Sequence, residues 1–254
     1  MVSAKALSTR GLVKEFRGFR AVDGVDLDVT AGTVHALVGP NGAGKTTLFN
    51  LLTGFLVPTS GRIEVAGRDI TGLPPETVAR LGVARSFQIT SLFPQVTARE
   101  HVELALQVST GLGWHFWRSA RSMRRHTPQA LSLLSEVGLE SLAESTADSL
   151  PYGRKRALEL AVALALGPDL LLLDEPTAGM GLEDVERTVD LIARVRQGRT
   201  VVMVEHNMSV VGRLADQVTV LQAGRILAEG PYETVRADPR VIAAYLGTPD
   251  AAHN

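Results

Sequence analysis

The 254 residues contain no cysteine, which excludes a disulfide framework and thiolate metal sites and fits a reducing compartment. Nor is there an excess of one charge. Lys and Arg number 26 against 27 Asp and Glu, a net of −1 with both signs interleaved, so nothing points to a nucleic-acid binder that works by counterion release. Long apolar runs are missing too. The longest, residues 160–166 and 170–173, fall well short of the ~20 needed to span a bilayer, so any membrane role would be exercised through a separate membrane partner. No repeat and no low-complexity stretch is present. Met1-Val2-Ser3-Ala4-Lys5 leads into a strand-like pattern rather than an apolar run with a small-residue cleavage site, and the mature protein is expected to start there. What remains is ordinary globular composition, 45% apolar and 21% charged, long enough for one large domain or one domain with an insertion.

The apolar pattern divides this length. In Val22-Asp23-Gly24-Val25-Asp26-Leu27-Asp28-Val29 the alternation predicts a half-buried antiparallel strand. Val34-His35-Ala36-Leu37-Val38 is followed at once by a glycine loop and a predicted helix over residues 46–53. Residues 170–173, 201–204 and 218–221 are short, apolar and bounded by turn residues, and helical spacing between them suggests crossovers and a largely parallel sheet. A shorter strand is expected over residues 82–85. From about 92 to 166 helical spacing recurs without an intervening strand, as in Ala130, Leu131, Leu133, Leu134 and Val137. That predicts a helical insertion in an α/β core, with loops at residues 108–113 and 145–151.

Gly39-Pro40-Asn41-Gly42-Ala43-Gly44-Lys45-Thr46-Thr47 matches the phosphate-loop pattern, and its context of strand before and helix after is the required one. Glycines let backbone N–H groups wrap phosphate oxygens. Lys45 would reach the β- and γ-phosphates and the Thr46 hydroxyl would ligate Mg²⁺. Asp174 ends an apolar strand, where a carboxylate is costly unless a charge meets it, and Mg²⁺ beside Thr46 is the natural partner. Glu175, pointing the other way by strand alternation, is placed to orient or deprotonate water attacking the γ-phosphate. The bland alternative is a helix-capping Asp-Glu pair after a strand.

His206 follows the strand at 201–204, at the carboxyl end of a parallel strand, where ligands sit in open α/β sheets. It is placed to contact the γ-phosphate; alone, such a histidine would read as structural. Gln88, beyond the short strand, lies at the seam between core and insertion, where it would touch Mg²⁺ or the attacking water. A second helix start, Leu150-Pro151-Tyr152-Gly153-Arg154, would also present unpaired N–H groups to an anion.

In this order, a phosphate loop, a glutamine, a glycine turn into a helix, an apolar strand ending Asp-Glu-Pro and a strand ending in histidine resemble the ATP-binding subunits of ABC transporters. The resemblance spans nearly the whole chain. It implies a P-loop NTPase (RecA-like) α/β core with a mixed sheet, an antiparallel β subdomain and a helical insertion. Residues 1–90 and 167–254 would form the nucleotide-binding core and 91–166 a helical signature subdomain, all within one ATPase domain. It implies ATP and Mg²⁺ as cofactors, with Phe16 stacking on adenine, Gln88 as the glutamine-loop residue and Leu150 to Arg154 as the signature. Asp174 would be the magnesium aspartate, Glu175 the catalytic glutamate, His206 the switch histidine and Ala178-Gly179-Met180-Gly181 the D-loop.

In such proteins two subunits sandwich two ATP molecules, each held by one subunit's phosphate loop and the other's signature helix. Here the signature departs from the usual Leu-Ser-Gly-Gly-Gln at Pro151, Tyr152 and Arg154, and Gly181 stands where the D-loop commonly has Asp. A serine donor is lost; backbone N–H groups remain, and proline suits a helix start.

The Tyr-Gly signature, the ending Val241-Ile242-Ala243-Ala244-Tyr245-Leu246-Gly247 and Gly18-Phe19-Arg20-Ala21-Val22 are similar to the larger ATPase subunit of bacterial branched-chain amino acid importers. Related branches serve urea and short amides or export lipopolysaccharide. The implied partners are a second ABC ATPase subunit, identical or different, two transmembrane permease subunits and, indirectly, a periplasmic solute-binding protein, with no nucleic acid. The implied place is the cytoplasmic face of the inner membrane.

Rival classes predict features that the sequence lacks. A soluble ABC-type ATPase acting on DNA or ribosomes calls for a tandem cassette, a long coiled coil or a basic surface. A non-hydrolysing switch has no need of the Asp174-Glu175 pair. Outside the resemblance, residues 114–125 carry four arginines and three aromatics with no acid. They read either as a solvated basic face or as a segment near lipid headgroups or a membrane partner's loop. The run 241–246 is expected to dock as a short helix on the core.

Overall fold

The computed structural model describes residues 4–86, 92–109 and 124–246. Gln88 and residues 110–123, which hold most of the basic aromatic segment, lie outside them. Among the described residues no helix is long and apolar enough to cross a membrane.

Two sheets carry the fold. The smaller is antiparallel, in the order β2-β1-β4-β5, from β1 (Lys5–Phe16), β2 (Phe19–Thr30), β4 (Ser60–Val65) and β5 (Arg68–Asp69). The larger has the order β10-β9-β3-β8-β7-β6. In it β3 (Val34–Val38), β6 (Val83–Ser86), β7 (Leu170–Asp174), β8 (Thr200–Val204) and β9 (Gln217–Gln222) are parallel, and β10 (Arg225–Gly230) is an antiparallel edge. The sheet is therefore mixed, with the parallel strands that the apolar runs predict.

Period-2 alternation explains why β7 reads as an unbroken apolar run. Leu171 and Leu173 join the core on one face, with Val34, Ala36, Val201 and Met203, while Leu170 and Leu172 join the other, with Leu37, Leu48, Phe49 and Val202. Both faces are covered, so both sets of side chains must be apolar. Each fully buried leucine contributes roughly 1.5–3 kcal/mol of transfer free energy. In β2 the alternation shifts: Val22 and Val25 are both buried because Gly24 takes φ 71 and the pairing with β1 is irregular there. A bulge thus keeps Val22, Val25, Leu27 and Val29 inward.

One face of the large sheet and the antiparallel sheet enclose α1 (Lys45–Leu52). The other face carries α3 (Ala98–Ser109), α4 (Thr127–Glu136), α5 (Tyr152–Leu164), α6 (Leu182–Val195) and α7 (Met208–Leu214) in a single core. α2 (Pro75–Arg80) precedes β6, and α8 (Tyr232–Arg236) and α9 (Pro239–Leu246) close the chain against β10. Residues 92–109 and 124–166 contain helices, short 3-10 turns and one isolated bridge, Thr97 to Thr146, with no named strand. The loop expected to start at 108 begins later, since α3 runs through Ser109; its remainder lies outside the described residues.

Candidate functional site

Three adjacent strand ends bring the predicted residues together. Val204 of β8 pairs with Leu37 of β3 on one side and with Asp174 of β7 on the other. The loop after β3, the carboxylates at the end of β7 and the histidine beyond β8 therefore emerge side by side at the carboxyl edge of the sheet.

After Val38 the chain leaves the sheet as Gly39-Pro40-Asn41-Gly42-Ala43-Gly44 and enters α1 at Lys45. Gly39 has φ 149, and a Cβ there would lie 2.2 Å from the Leu221 carbonyl oxygen. Gly44 has φ 99, and its Cβ would lie 2.3 Å from the Ala21 carbonyl oxygen. Backbone from β9 and β2 thus presses on the loop from behind, where only glycine fits. Asn41, Gly42 and Thr46 are exposed, Pro40 and Thr47 half-buried, and Ala43 is buried with its carbonyl accepting from Gly224 N at 3.0 Å.

Lys45 braces the loop, its Nζ donating to Gly39 O at 2.6 Å and Pro40 O at 3.0 Å. Burial pushes its ammonium down, and the Glu175 and Asp174 carboxylates pull it partly back up. α1 has no acid in its first turn, so its N-terminal N–H groups offer an unopposed anion site.

β7 ends at Asp174, whose Oδ2 accepts from Arg85 Nη2 at 2.6 Å in a nearly buried ion pair. Arg85 Nη1 also donates to Asn50 Oδ1 at 2.7 Å, and the guanidinium lies over the Phe49 ring at 5.4 Å, which ties β6 and β7 to α1. Glu175 departs from the strand alternation used to place it. Its backbone turns left-handed, φ 49, while its N–H donates to Val204 O at 2.9 Å. Such a conformation costs a non-glycine residue on the order of 1 kcal/mol or more. The side chain is exposed beside Lys45.

His206 is exposed, and Asn207 caps α7 by accepting from Ser209 N at 3.1 Å. Phe16 is 43% exposed near a two-residue hairpin turn in which Arg17 and Gly18 both have positive φ. Ala21 of the same hairpin abuts Gly44 of the phosphate loop. Lys14 Nζ sits 5.0 Å from the Phe16 ring centroid. The Tyr245 hydroxyl of α9 meets the Gly39 backbone; burial pushes its pKa up and the hydrogen bond draws it partly back.

A magnesium ion at a nucleotide is held by one or two protein oxygens with phosphates and waters completing the shell. Among the described residues no three His, Asp or Glu side chains converge as a protein-only cage. Asp174, one oxygen of which already meets Arg85, and the exposed Thr46 are the side chains that would supply such donors.

The signature forms a separate helix start. Leu150 is buried, Pro151 is the N-cap of α5 rather than its first residue, and no acid lies in the first turn. Backbone bonding begins with Arg154 N and Lys155 N onto Pro151 O, so the amides of Tyr152 and Gly153 stand ahead of it. Tyr152 is 45% exposed; its hydroxyl donates to Ala178 O at 3.4 Å and accepts from Arg156 Nε and Nη2 at 3.1 and 2.8 Å. The residue replacing glycine therefore reaches to the D-loop segment.

Two residues of this region escaped the sequence reading. Arg85 interrupts a buried strand, and Glu205, wholly buried between β8 and His206, bonds both neighbouring loops. The signal for Glu205 was the one used for Asp174, a carboxylate ending an apolar strand.

A family profile described as "ABC transporter" matches residues 22–178, and one described as "Branched-chain amino acid ATP-binding cassette transporter" matches residues 225–251. The chain is 40% identical over 253 residues to the high-affinity branched-chain amino acid transport ATP-binding protein BraF of Pseudomonas aeruginosa, covering 97% of this chain and 99% of that one. It is 39% identical over 254 residues to LivG, of the same description, from Escherichia coli, with the same coverage. Among solved structures, the ADP conformation of MJ1267, an ATP-binding cassette of an ABC transporter, superposes with TM-score 0.83 at 29% identity, covering 96% and 99%. The cbiO1 protein of Clostridium perfringens, part of the cbiONQ transporter complex, gives 0.77 at 27%, covering 97% and 96%.

Proposed function

The chain belongs to the ABC transporter family as an ATP-binding and ATP-hydrolysing subunit, and from that premise we propose that it powers uptake of branched-chain amino acids. Two such subunits close on two ATP molecules, and hydrolysis reopens them to drive separate membrane subunits. The observation that carries the reading is the meeting of Lys45 with Glu175 and Asp174 at neighbouring strand ends.

In this reading Phe16 stacks on the adenine and residues 39–47 wrap the phosphates with backbone N–H groups. Lys45 supplies positive charge to the β- and γ-phosphates. Thr46 and Asp174 would hold Mg²⁺, which would neutralise phosphate charge. Glu175 takes a proton from the attacking water as its oxygen bonds the γ-phosphorus and the bond to ADP breaks. His206 contacts the γ-phosphate, Gln88 would serve as the glutamine-loop residue, and residues 150–153 of the opposite subunit close the site. Phosphoryl transfer is mainly positioning and charge neutralisation, so a small residue set suffices.

Residues 91–166 serve as the helical signature subdomain on the core of 1–90 and 167–254. Between them opens a cavity of about 700 Å³ lined by Phe55, Phe93, Leu104, Val108 and Glu159. Phe93, Leu104 and Val108 are exposed apolar residues there. This supports docking of a permease's cytoplasmic segment, which would hold the protein at the inner face of the membrane.

Full-length identity to BraF and LivG supports the cargo. Co-expression with the permeases and partner ATPase, followed by reconstitution, tests it. Leucine, isoleucine or valine with the binding protein should stimulate ATP hydrolysis. Stimulation by urea or amides instead would reassign the cargo.

A further inference from the structure

Glu205 is fully buried yet carries a carboxylate, and each of its oxygens serves a different loop. Oε1 accepts from Thr177 N at 3.1 Å and from Thr177 Oγ1 at 2.6 Å. Oε2 accepts from His206 N at 3.0 Å and from Asn207 N at 3.1 Å. The Glu205 backbone N–H donates to Leu37 O at 3.3 Å, in the strand that leads to the phosphate loop. One residue therefore joins the ends of β3, β7 and β8. Thr177 lies two residues beyond Glu175, and His206 is the next residue in the chain.

Burying a carboxylate is costly unless hydrogen bonds replace its hydration, and four donors do so here. An apolar residue would fill the space without joining the two loops. We infer that Glu205 is a positioning residue for ATP hydrolysis, holding the Glu175 loop and the His206 turn at a fixed separation through its two oxygens. Glu175 makes such a device useful, because its left-handed backbone at φ 49 is held by surrounding bonds rather than by its own preference. The bond from Thr177 to Glu205 is the side-chain restraint immediately downstream of that strained residue, and it leads back to the turn bearing His206.

The inference rests on the assignment of Glu175 as the base that activates water, and the experiment separates the two. In Glu205→Gln an amide NH₂ must face N–H donors of one loop or the other, so one loop loses its acceptor while side-chain volume is kept. Thr177→Val removes the 2.6 Å bond and leaves the carboxylate in place, which provides a milder variant should the first fail to fold. Steady-state ATP hydrolysis and ATP affinity are measured for the parent, Glu175→Gln, each positioning variant and each double variant.

Glu205→Gln is expected to lower kcat about tenfold or more and Thr177→Val about threefold, both with ATP affinity within about threefold of the parent. In the Glu175→Gln background neither should lower the residual rate further. A loss of equal factor in both backgrounds, or an unchanged kcat in a folded variant, overturns the positioning role. Parent-like hydrolysis by Glu175→Gln itself would instead remove the assignment of the base.

Discussion

Two helix starts in this molecule face phosphate in the proposed function, and they are built in different ways. α1 begins after a glycine loop pressed from behind by the carbonyls of Leu221 and Ala21, with Lys45 tied back to Gly39 and Pro40. Its shape is determined entirely within one chain. α5 begins after Pro151 with no side-chain cap, and its own Tyr152, braced by Arg156, reaches out to the Ala178 carbonyl. It has an open N-terminus, but no triphosphate-binding lysine and no carboxylate pair belong to it. The difference teaches that a complete site and a half-site leave different marks. The former is sterically over-determined, whereas the latter is a surface awaiting its complement.

The largest effect that would break this comparison is chemical. Glu175→Gln should bind ATP with near-parent affinity, dimerise, and lose at least about a hundredfold in turnover; parent-rate hydrolysis would show the carboxylate cluster beside α1 to be structural. Next comes a steric test. Gly39→Ala must accommodate a Cβ 2.2 Å from a backbone oxygen in a left-handed conformation, so a loss of stability on the order of 3 kcal/mol, with loss of ATP binding, is expected. Gly153→Ala meets only the Asp184 carboxylate end at 3.0 Å, within a helix. Its melting temperature should stay at or slightly above the parent's, while hydrolysis by the dimer falls about tenfold. Equal thermal penalties for the two alanines would erase the distinction between the sites.

The strand beneath the phosphate loop carries a further liability. His35 in β3 is buried, and its Nε2 lies 2.7 Å from Thr219 Oγ1, which itself donates to Glu229 at 2.9 Å. The Thr219 proton is thus committed, so Nε2–H is the donor and Nδ1 is left without a partner. Burial pushes the His35 pKa from 6.5 down to about 4. The folded state resists protonation that the unfolded chain accepts, so stability is intact above about pH 6.5 and is lost as pH falls toward 4. That loss reaches roughly 3 kcal/mol. Denaturant titrations across this window should show a shallower acid slope for His35→Gln, which keeps an N–H donor. An identical slope would exonerate the histidine.

Much of the first site was legible because its determinants are local. The glycine loop, the strand before it and the helix after it are contiguous, and an unbroken leucine run announces a strand covered on both faces. Glu175 was legible by type but not by geometry, since alternation fails where the backbone turns left-handed. Glu205 and Arg85 were obscured because their roles consist of bonds to residues 28 and 89 positions away in sequence. The bulge at Gly24 was likewise invisible to a count of alternating residues, although it keeps Val22 and Val25 on one side.

The signature's own substitution supplies the smallest and most discriminating test. Tyr152 occupies a position where the usual sequence has glycine, and its hydroxyl links the start of α5 to Ala178 while receiving two Arg156 bonds. These bonds lie at the surface, and Arg156 keeps its pairing with Glu159 without them. Tyr152→Phe should therefore change folding stability by no more than about 1 kcal/mol. If the hydroxyl matters by fixing α5 against the D-loop, dimer-dependent hydrolysis should fall about threefold, while ATP affinity of the isolated subunit, set at α1, stays constant. A fall in affinity would mean that the two helix starts are coupled within one chain. An unchanged rate would leave the backbone amides of Tyr152 and Gly153 as all that this half-site contributes.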